Sequence, residues 1–562
     1  MTLSDEARTA EKKFTWLALA AMLAIFAYAS FLSSRSTLFD RDEPRFAQAS
    51  VEMLTSGNWL YPTFDGELRA DKPVFVYWLM AQAIHVFGAT AWAARFWSPV
   101  CLALACGLVF LVGRKLFEGR TGLLAMGFMA LSPLALAEGT LATTDALLLL
   151  CLTLVMSIFV YAAVDGPRPM HFVGIALTCA GAILAKGPVG VVIPALSIGF
   201  AVWLLRNERG IGRAHRLWFA VALAAAVGLV LLWWIPADRA TGGEYGTRGL
   251  GNHVFDRALS PLEGHGGGFL ISLPFYVPVL AVGFLSGLMF LPGAFSALLG
   301  ERIGNKRTRI LLIAWIVPTF LLMTLVATKL PHYVLPIWPA LAIASAAVVD
   351  AAERGVLDDR DRSWLSSGTW IFGVVSVLII GCLIAAPSYL QVDALLLPGI
   401  ATSVALAATA VFAMHAHRRN HPRRAACIAL LGLGVTWIVG VLLVVPAVEH
   451  TKVAPQLAAA IRTHVPASVQ IARWKFVEPS LDFYLGRPPI KDFDDEDSLR
   501  RWAAEDSPAV LVIPRNVLAG LRDVLPESRY SELAAVEGLN LSKGERLVLV
   551  ALARDLPSTE AR

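Results

Sequence analysis

The sequence predicts a polytopic α-helical membrane protein of about thirteen spans, followed by a small α/β domain at its C-terminal end. Three observations carry this. The mean hydropathy is +0.62. Apolar stretches of about 20 residues recur along the chain, each long enough for a hydrocarbon core about 30 Å thick. After about residue 447 the charge density returns to that of an ordinary soluble domain. With 56% hydrophobic and only 16% charged residues in 562, a soluble enzyme is excluded. The net charge of +5 is modest and is read through its placement, not as a nucleic-acid signal.

The expected spans lie near 14–32, 91–112, 121–138, 142–163, 171–186, 188–205, 217–236, 269–292, 310–327, 332–350, 368–387, 393–413 and 426–447. The first reads as a signal anchor, too long for the apolar part of a cleavable signal. Lys12-Lys13, Arg114-Lys115-Arg120, Arg206 to Arg216, Arg302 to Arg309 and His415 to Arg424 then fall on one side, which the positive-inside rule makes the cytoplasm. The segment 33–90, the loop 237–268 and the tail from 448 are expected on the other side. The six cysteines all lie in apolar segments, so neither a disulfide framework nor a zinc cluster is expected.

The domain division is expected at 1–447 and 448–562. Segment 33–90 carries Trp59, Tyr61, Tyr77 and Trp78, and a helical pattern runs from Phe46 to Leu54; it reads as amphipathic helices in the membrane interface. The tail shows short β-like runs at Val469 to Arg473, Ala509 to Ile513 and Arg546 to Ala551, enough for an α/β domain with its own core. Covering the site or docking an acceptor is the role expected of it. Its acidic run Asp492 to Asp497 reads as a solvated loop before a cation site.

Charge concentrates at Asp40-Arg41-Asp42-Glu43-Pro44-Arg45, just past the first span. Carboxylates ahead of Pro44 suit a helix start; a plain cap with ion pairs to Arg41 and Arg45 explains the local sequence equally well. The balance comes from charges at span ends on the same side. These are Asp71 and Lys72, Asp145 after Thr143-Thr144, Lys186 before Gly187-Pro188, His253, Arg257, Glu263 and His265 in the loop, and Lys329, His332 and Tyr333. Charges near lipid are costly unless used. Cations hold a phosphate and stabilise a leaving anion, while a carboxylate acts as base or steadies positive charge at a sugar carbon. The residues thus point to a membrane enzyme handling a lipid-linked phosphate; a transporter stays open, disfavoured because no internal repeat is visible and the charges collect at one interface.

The ordered set Asp42-Glu43-Pro44-Arg45, Asp71-Lys72-Pro73, Tyr77-Trp78, Thr143-Thr144-Asp145, Ala185-Lys186-Gly187 and Lys329-Leu330-Pro331-His332-Tyr333 resembles the C-type glycosyltransferase superfamily. Within it, the set is most similar to the aminoarabinose transferases of Gram-negative bacteria, relatives of the protein O-mannosyltransferases. The resemblance implies a C-type glycosyltransferase fold in the inner membrane, with the active site and C-terminal domain periplasmic. It implies transfer of 4-amino-4-deoxy-L-arabinose from undecaprenyl phosphate to a lipid A phosphate, and polymyxin resistance. It makes Asp42 the leading catalytic carboxylate, Asp145 its partner near the sugar amine, and Arg45 a support. Lys72, Lys186 and Arg257 are expected to hold polyprenyl phosphate, with Tyr333 closing over it; Lys329 and Glu43 join the substrate-binding set. Asp71 stands where relatives carry Glu, with shorter reach. Asp71, His253 and His265 are suitable donors for a divalent metal (Zn, Mg or Mn), although a leaving phosphate held by Lys and Arg requires none. The expected partners are the lipid-linked donor, lipid A and membrane lipids, bound by a monomer. A related transferase with a protein acceptor is the alternative.

Overall fold

The structure, a computed structural model, describes residues 5–39, 41–208, 213–249, 272–487, 490–540 and 544–556, with the side chains of 5–10 and 213–214 left aside. Among the described residues ten helices are long and apolar enough to cross a membrane, from Glu11–Ser33 to Pro422–Glu449. The chain is a multi-pass membrane protein.

Three expected spans take other forms. The stretch near 121–138 is two helices, Gly119–Ala130 and Pro133–Glu138. Ser132 is extended between them, as a residue before proline prefers. The stretch near 269–292 is cut into short helices, Tyr276–Gly283 and Leu285–Leu288, with Leu291–Leu299 beyond. The helix Val189–Leu204 is a single piece of 16 residues, about 24 Å long at 1.5 Å per residue. It folds back tightly on Pro169–Lys186. Gly187, at φ +79°, makes the turn, and a Cβ on Gly190 would lie 2.3 Å from the Ala182 backbone.

Segment 33–90 departs from the interfacial expectation. Its first helix, Asp42–Ser56, is buried on more than its apolar side: Glu43, Gln48, Ser50 and Glu52 are covered as well as Phe46, Ala47, Ala49 and Met53. Protein, not lipid, covers it, because Phe75–Phe87 packs along one side and Pro479–Leu485 along another. A two-strand hairpin follows it, β1 (Thr63–Phe64) with β2 (Glu67–Leu68). Glu52 ties that hairpin to the helix, accepting from the Thr63 hydroxyl at 2.7 Å and the Asp65 amide at 2.8 Å.

One ion pair fixes the start of this loop helix. Arg95 is 1% exposed, and its Nη2 donates to Glu43 Oε2 at 2.6 Å. Its remaining donors go to Glu43 Oε1 and to the carbonyls of Ser33, Ser36 and Thr37. Glu43 also accepts from the amides of Phe39 (2.8 Å) and Ala142 (2.6 Å). A buried pair with every donor and lone pair engaged holds; one that loses a partner strands a charge.

The C-terminal residues form a four-stranded sheet in the order β3-β4-β6-β5. β3 (Gln470–Arg473) is parallel to β4 (Ala509–Pro514); β6 (Glu545–Arg554) is antiparallel to both β4 and β5 (Tyr530–Asn540). Helix Val453–His464 packs against β5 and β6. In the acidic run, Asp495 caps the helix Glu496–Ala503 through the Ser498 amide at 2.7 Å, and Asp492 pairs with Arg473 at 2.5 Å.

Glu43→Ala strands the buried Arg95 guanidinium and is expected to cost about 3–5 kcal/mol. Asp42→Ala, on the exposed neighbour, is expected to stay within about 0.5 kcal/mol. Thermal unfolding in detergent distinguishes the two.

Candidate active site

The site is assembled from helix ends. Asp145 opens the helix Asp145–Asp165 and is 6% exposed. It is not a free cap: Lys186 Nζ lies 2.5 Å from its Oδ1. Lys186 is the last residue of Pro169–Lys186, where a cation also faces the negative end of the helix dipole. The Lys186 ammonium lies 5.3 Å from the centre of the Tyr333 ring. His332, next to Tyr333, sits between two carboxylates, with Nε2 3.9 Å from Asp145 Oδ2 and Nδ1 3.6 Å from Glu138 Oε1. Thr143 donates to Glu138 Oε2 at 2.9 Å.

Two cavities meet at this cluster. The first, of about 240 Å³, is lined by Lys72, Asp145, Lys186, His332 and Tyr333, and its remaining wall is apolar, with Leu148, Val189, Ile193 and Met323 among the residues. The second, of about 220 Å³, is lined by Asp71, Lys72, Lys186, Trp233, Trp234 and Tyr245. Lys72 and Lys186 belong to both. Tyr245 donates to the Lys72 carbonyl at 3.0 Å, which fixes the backbone that carries this ammonium. Asp42, at the first turn of the loop helix, is close enough to act electrostatically on His332 and Arg69. Arg45 is half-buried on the same turn.

Several expected site residues are placed elsewhere. Glu43 is 2% exposed with its oxygens committed to Arg95 and two amides, so it holds the loop helix and does not face a substrate. Lys329 is 5% exposed and donates to the carbonyls of Met323, Thr324 and Val326, closing the C-terminal end of the helix Lys306–Leu325. Burial pulls its ammonium below the usual lysine range. Neither Glu43 nor Lys329 faces a substrate as the sequence suggests, because a charge so fully satisfied by protein has nothing left to offer a phosphate. Arg257, His253 and His265 lie outside the described residues. Asp71 is paired with Arg69 Nη1 at 3.1 Å, and that guanidinium also donates to the Tyr77 hydroxyl at 2.9 Å. Among the described residues no group of three or more His, Cys, Asp or Glu comes together to hold a metal. Asp71, paired with a guanidinium, does not fit one.

Sequence reasoning missed Glu138 and Arg95. Each stands near the end of an apolar run, where a lone charge reads as a snorkelling side chain; only the three-dimensional pairing reveals its partner.

Chemically, two ammonium groups at the junction of two cavities can hold a phosphate and stabilise charge on it as a bond to it breaks. Carboxylates on the rim suit a cationic or electron-poor sugar centre, and the mostly apolar first cavity suits a lipid chain.

Comparison with known proteins bears on this geometry. Residues 71–234 match the dolichyl-phosphate-mannose-protein mannosyltransferase family. The chain is similar to the undecaprenyl phosphate-alpha-4-amino-4-deoxy-L-arabinose arabinosyl transferase 2 of Proteus mirabilis, 28% identical over 67% of each chain. It is 31% identical to transferase 1 of Sodalis glossinidius over 59% of this chain and 58% of that one. In three dimensions it resembles ArnT from Cupriavidus metallidurans bound to undecaprenyl phosphate, with a TM-score of 0.75, 20% identity, and 95% and 97% of the two chains covered. The chain is thus similar in sequence to undecaprenyl phosphate-aminoarabinose arabinosyl transferases, and it shares the fold of ArnT.

Proposed function

We propose that this protein transfers 4-amino-4-deoxy-L-arabinose from undecaprenyl phosphate to a phosphate of lipid A, at the periplasmic face of the bacterial inner membrane. The observation that carries the reading is the pair of cavities joined at Lys72 and Lys186. Two lipid substrates need two sites, and their reacting phosphates need to meet at one place. The basic loops between spans support a cytoplasmic position for the opposite end of the bundle, and with it a periplasmic position for this junction and the C-terminal domain, residues 448–562.

In this reading the polyprenyl chain of the donor lies in the first cavity, against Leu148, Val189 and Met323. Lys72 and Lys186 hold the donor phosphate, and Tyr333 closes over it; Arg257, outside the described residues, is a further phosphate ligand by resemblance alone. An oxygen of the lipid A phosphate attacks the anomeric carbon as the bond from that carbon to the polyprenyl phosphate oxygen breaks. The electron pair leaves with the lipid phosphate, where the two ammonium groups neutralise it. The acceptor phosphate is largely ionised near neutral pH, so proton abstraction is a minor duty. Asp42 instead orients the reactants and steadies positive charge at the anomeric carbon, with Arg45 supporting it. Asp145 faces the sugar amine. The product carries a new cationic sugar on lipid A, which masks negative charge and weakens binding of polymyxin and other cationic peptides.

The test is complementation of a transferase-deficient Gram-negative strain that still makes the donor. Wild type is expected to restore polymyxin resistance and add one aminopentose mass to lipid A; Asp42→Ala is expected to be made in normal amounts and to do neither. Lipid A left unchanged by wild type would remove this reading and favour a protein acceptor. A second prediction separates binding from chemistry. Lys72→Ala is expected to weaken undecaprenyl phosphate binding about 10- to 100-fold, the worth of a charge-assisted hydrogen bond. Asp42→Ala is expected to leave that affinity within about threefold while lowering turnover about 100-fold or more. Equilibrium binding and single-turnover kinetics in detergent read the two effects.

A further inference from the structure

The backbone that delivers Asp42 is held from two sides. Residues 36–39 join the first helix, Asp5–Ser33, to the loop helix, Asp42–Ser56. From the membrane part, Arg95 takes the carbonyls of Ser36 and Thr37, and Glu43 takes the Phe39 amide. The other partners come from beyond the last span or from its end. Glu449 Oε2 accepts from the Thr37 amide at 3.1 Å and from its hydroxyl at 2.7 Å. Lys452 Nζ donates to the Thr37 carbonyl at 3.1 Å and lies 3.8 Å from the centre of the Phe39 ring. The Tyr484 hydroxyl accepts from the Leu38 amide at 2.7 Å. Leu38 is 1% exposed, and a buried amide needs its partner.

A second tether reaches the far end of the same helix. Arg473, 3% exposed, sends Nη2 to Asp65 at 3.1 Å in the hairpin turn, while its other nitrogens bind Asp482 and Asp492. The Asp65 amide in turn donates to Glu52 on the loop helix. Glu449, Lys452, Arg473 and Tyr484 line neither cavity.

We propose that the C-terminal domain is a clamp that sets the position of Asp42, with Tyr484 and Arg473 as positioning residues acting through the Leu38 amide and the β1–β2 turn. Among the described residues none of this domain lines either cavity, so it acts through the backbone behind the site. The inference rests on the proposed role of Asp42.

The experiment compares full-length wild type, Tyr484→Phe and Asp65→Asn with the aminoarabinose donor and lipid A in detergent. Tyr484→Phe removes only the acceptor of the Leu38 amide; Asp65→Asn loosens only the second tether. Each is expected to lower kcat about 10-fold, in line with the effect of small misplacements of a reacting group. The KM for the donor should stay within about twofold, because the lysines that hold its phosphate are untouched. In an Asp42→Glu background, where the carboxylate is already displaced, Tyr484→Phe should lower kcat much less than in wild type. Unchanged kcat in both variants overturns the clamp. So does a fall that merely follows the folded fraction, or one that is as large in the Asp42→Glu background. A wild type that transfers nothing overturns the proposed function instead, so the two failures are distinct.

Discussion

The buried pair Glu43–Arg95 is the constraint on which the rest depends. It joins the loop helix to the short helix Ala91–Arg95 that opens the next span, and its spare donors and acceptors reach residues 33–39 and the Ala142 amide just before Asp145. One guanidinium thus sets the exit of the first helix, the start of the loop helix and the approach to the helix that carries Asp145. Such a pair is not a cheap source of stability, since desolvation of both ions offsets much of their attraction. Its value is geometric: the segments it joins have one arrangement in which all the buried polar groups are satisfied.

Around that anchor the site follows a common membrane-protein economy. Charges sit at helix ends, where dipoles and polar neighbours support them, and apolar walls fill the spaces between. Asp145 and Lys186 neutralise each other in the resting protein. In the proposed function, a phosphate arriving at Lys186 would compete with a carboxylate already in place, and its arrival would free Asp145 for a cationic group. A donor that carries both a phosphate and an amine matches that exchange.

The long spans were legible because hydropathy needs no partner to be read, and the break at Gly187-Pro188 was marked by the residues that make it; the break at Pro133 was passed over because the apolar run continues through it. Lys72, Asp145, Lys186 and Tyr333 could be grouped from sequence by counting sides of the membrane, although only the fold puts them around one cavity. Glu43 and Lys329 misled because a charge outside a span looks the same whether it faces substrate or protein carbonyls. The loop helix misled for a related reason: an amphipathic pattern records that one face is covered, not whether lipid or protein covers it. β5 escaped notice because Glu532, Glu537 and Gly538 dilute its apolar alternation.

The helix Val189–Leu204 has a further consequence. It walls the first cavity with Val189, Val192 and Ile193, yet its length of about 24 Å falls roughly 6 Å short of a typical hydrocarbon core. A bilayer meets such a mismatch by thinning locally, at a modest cost per ångström. In the proposed function, the wall of the donor's cavity is then also a place where the membrane is drawn thin. A lipid headgroup approaching there has less depth to climb.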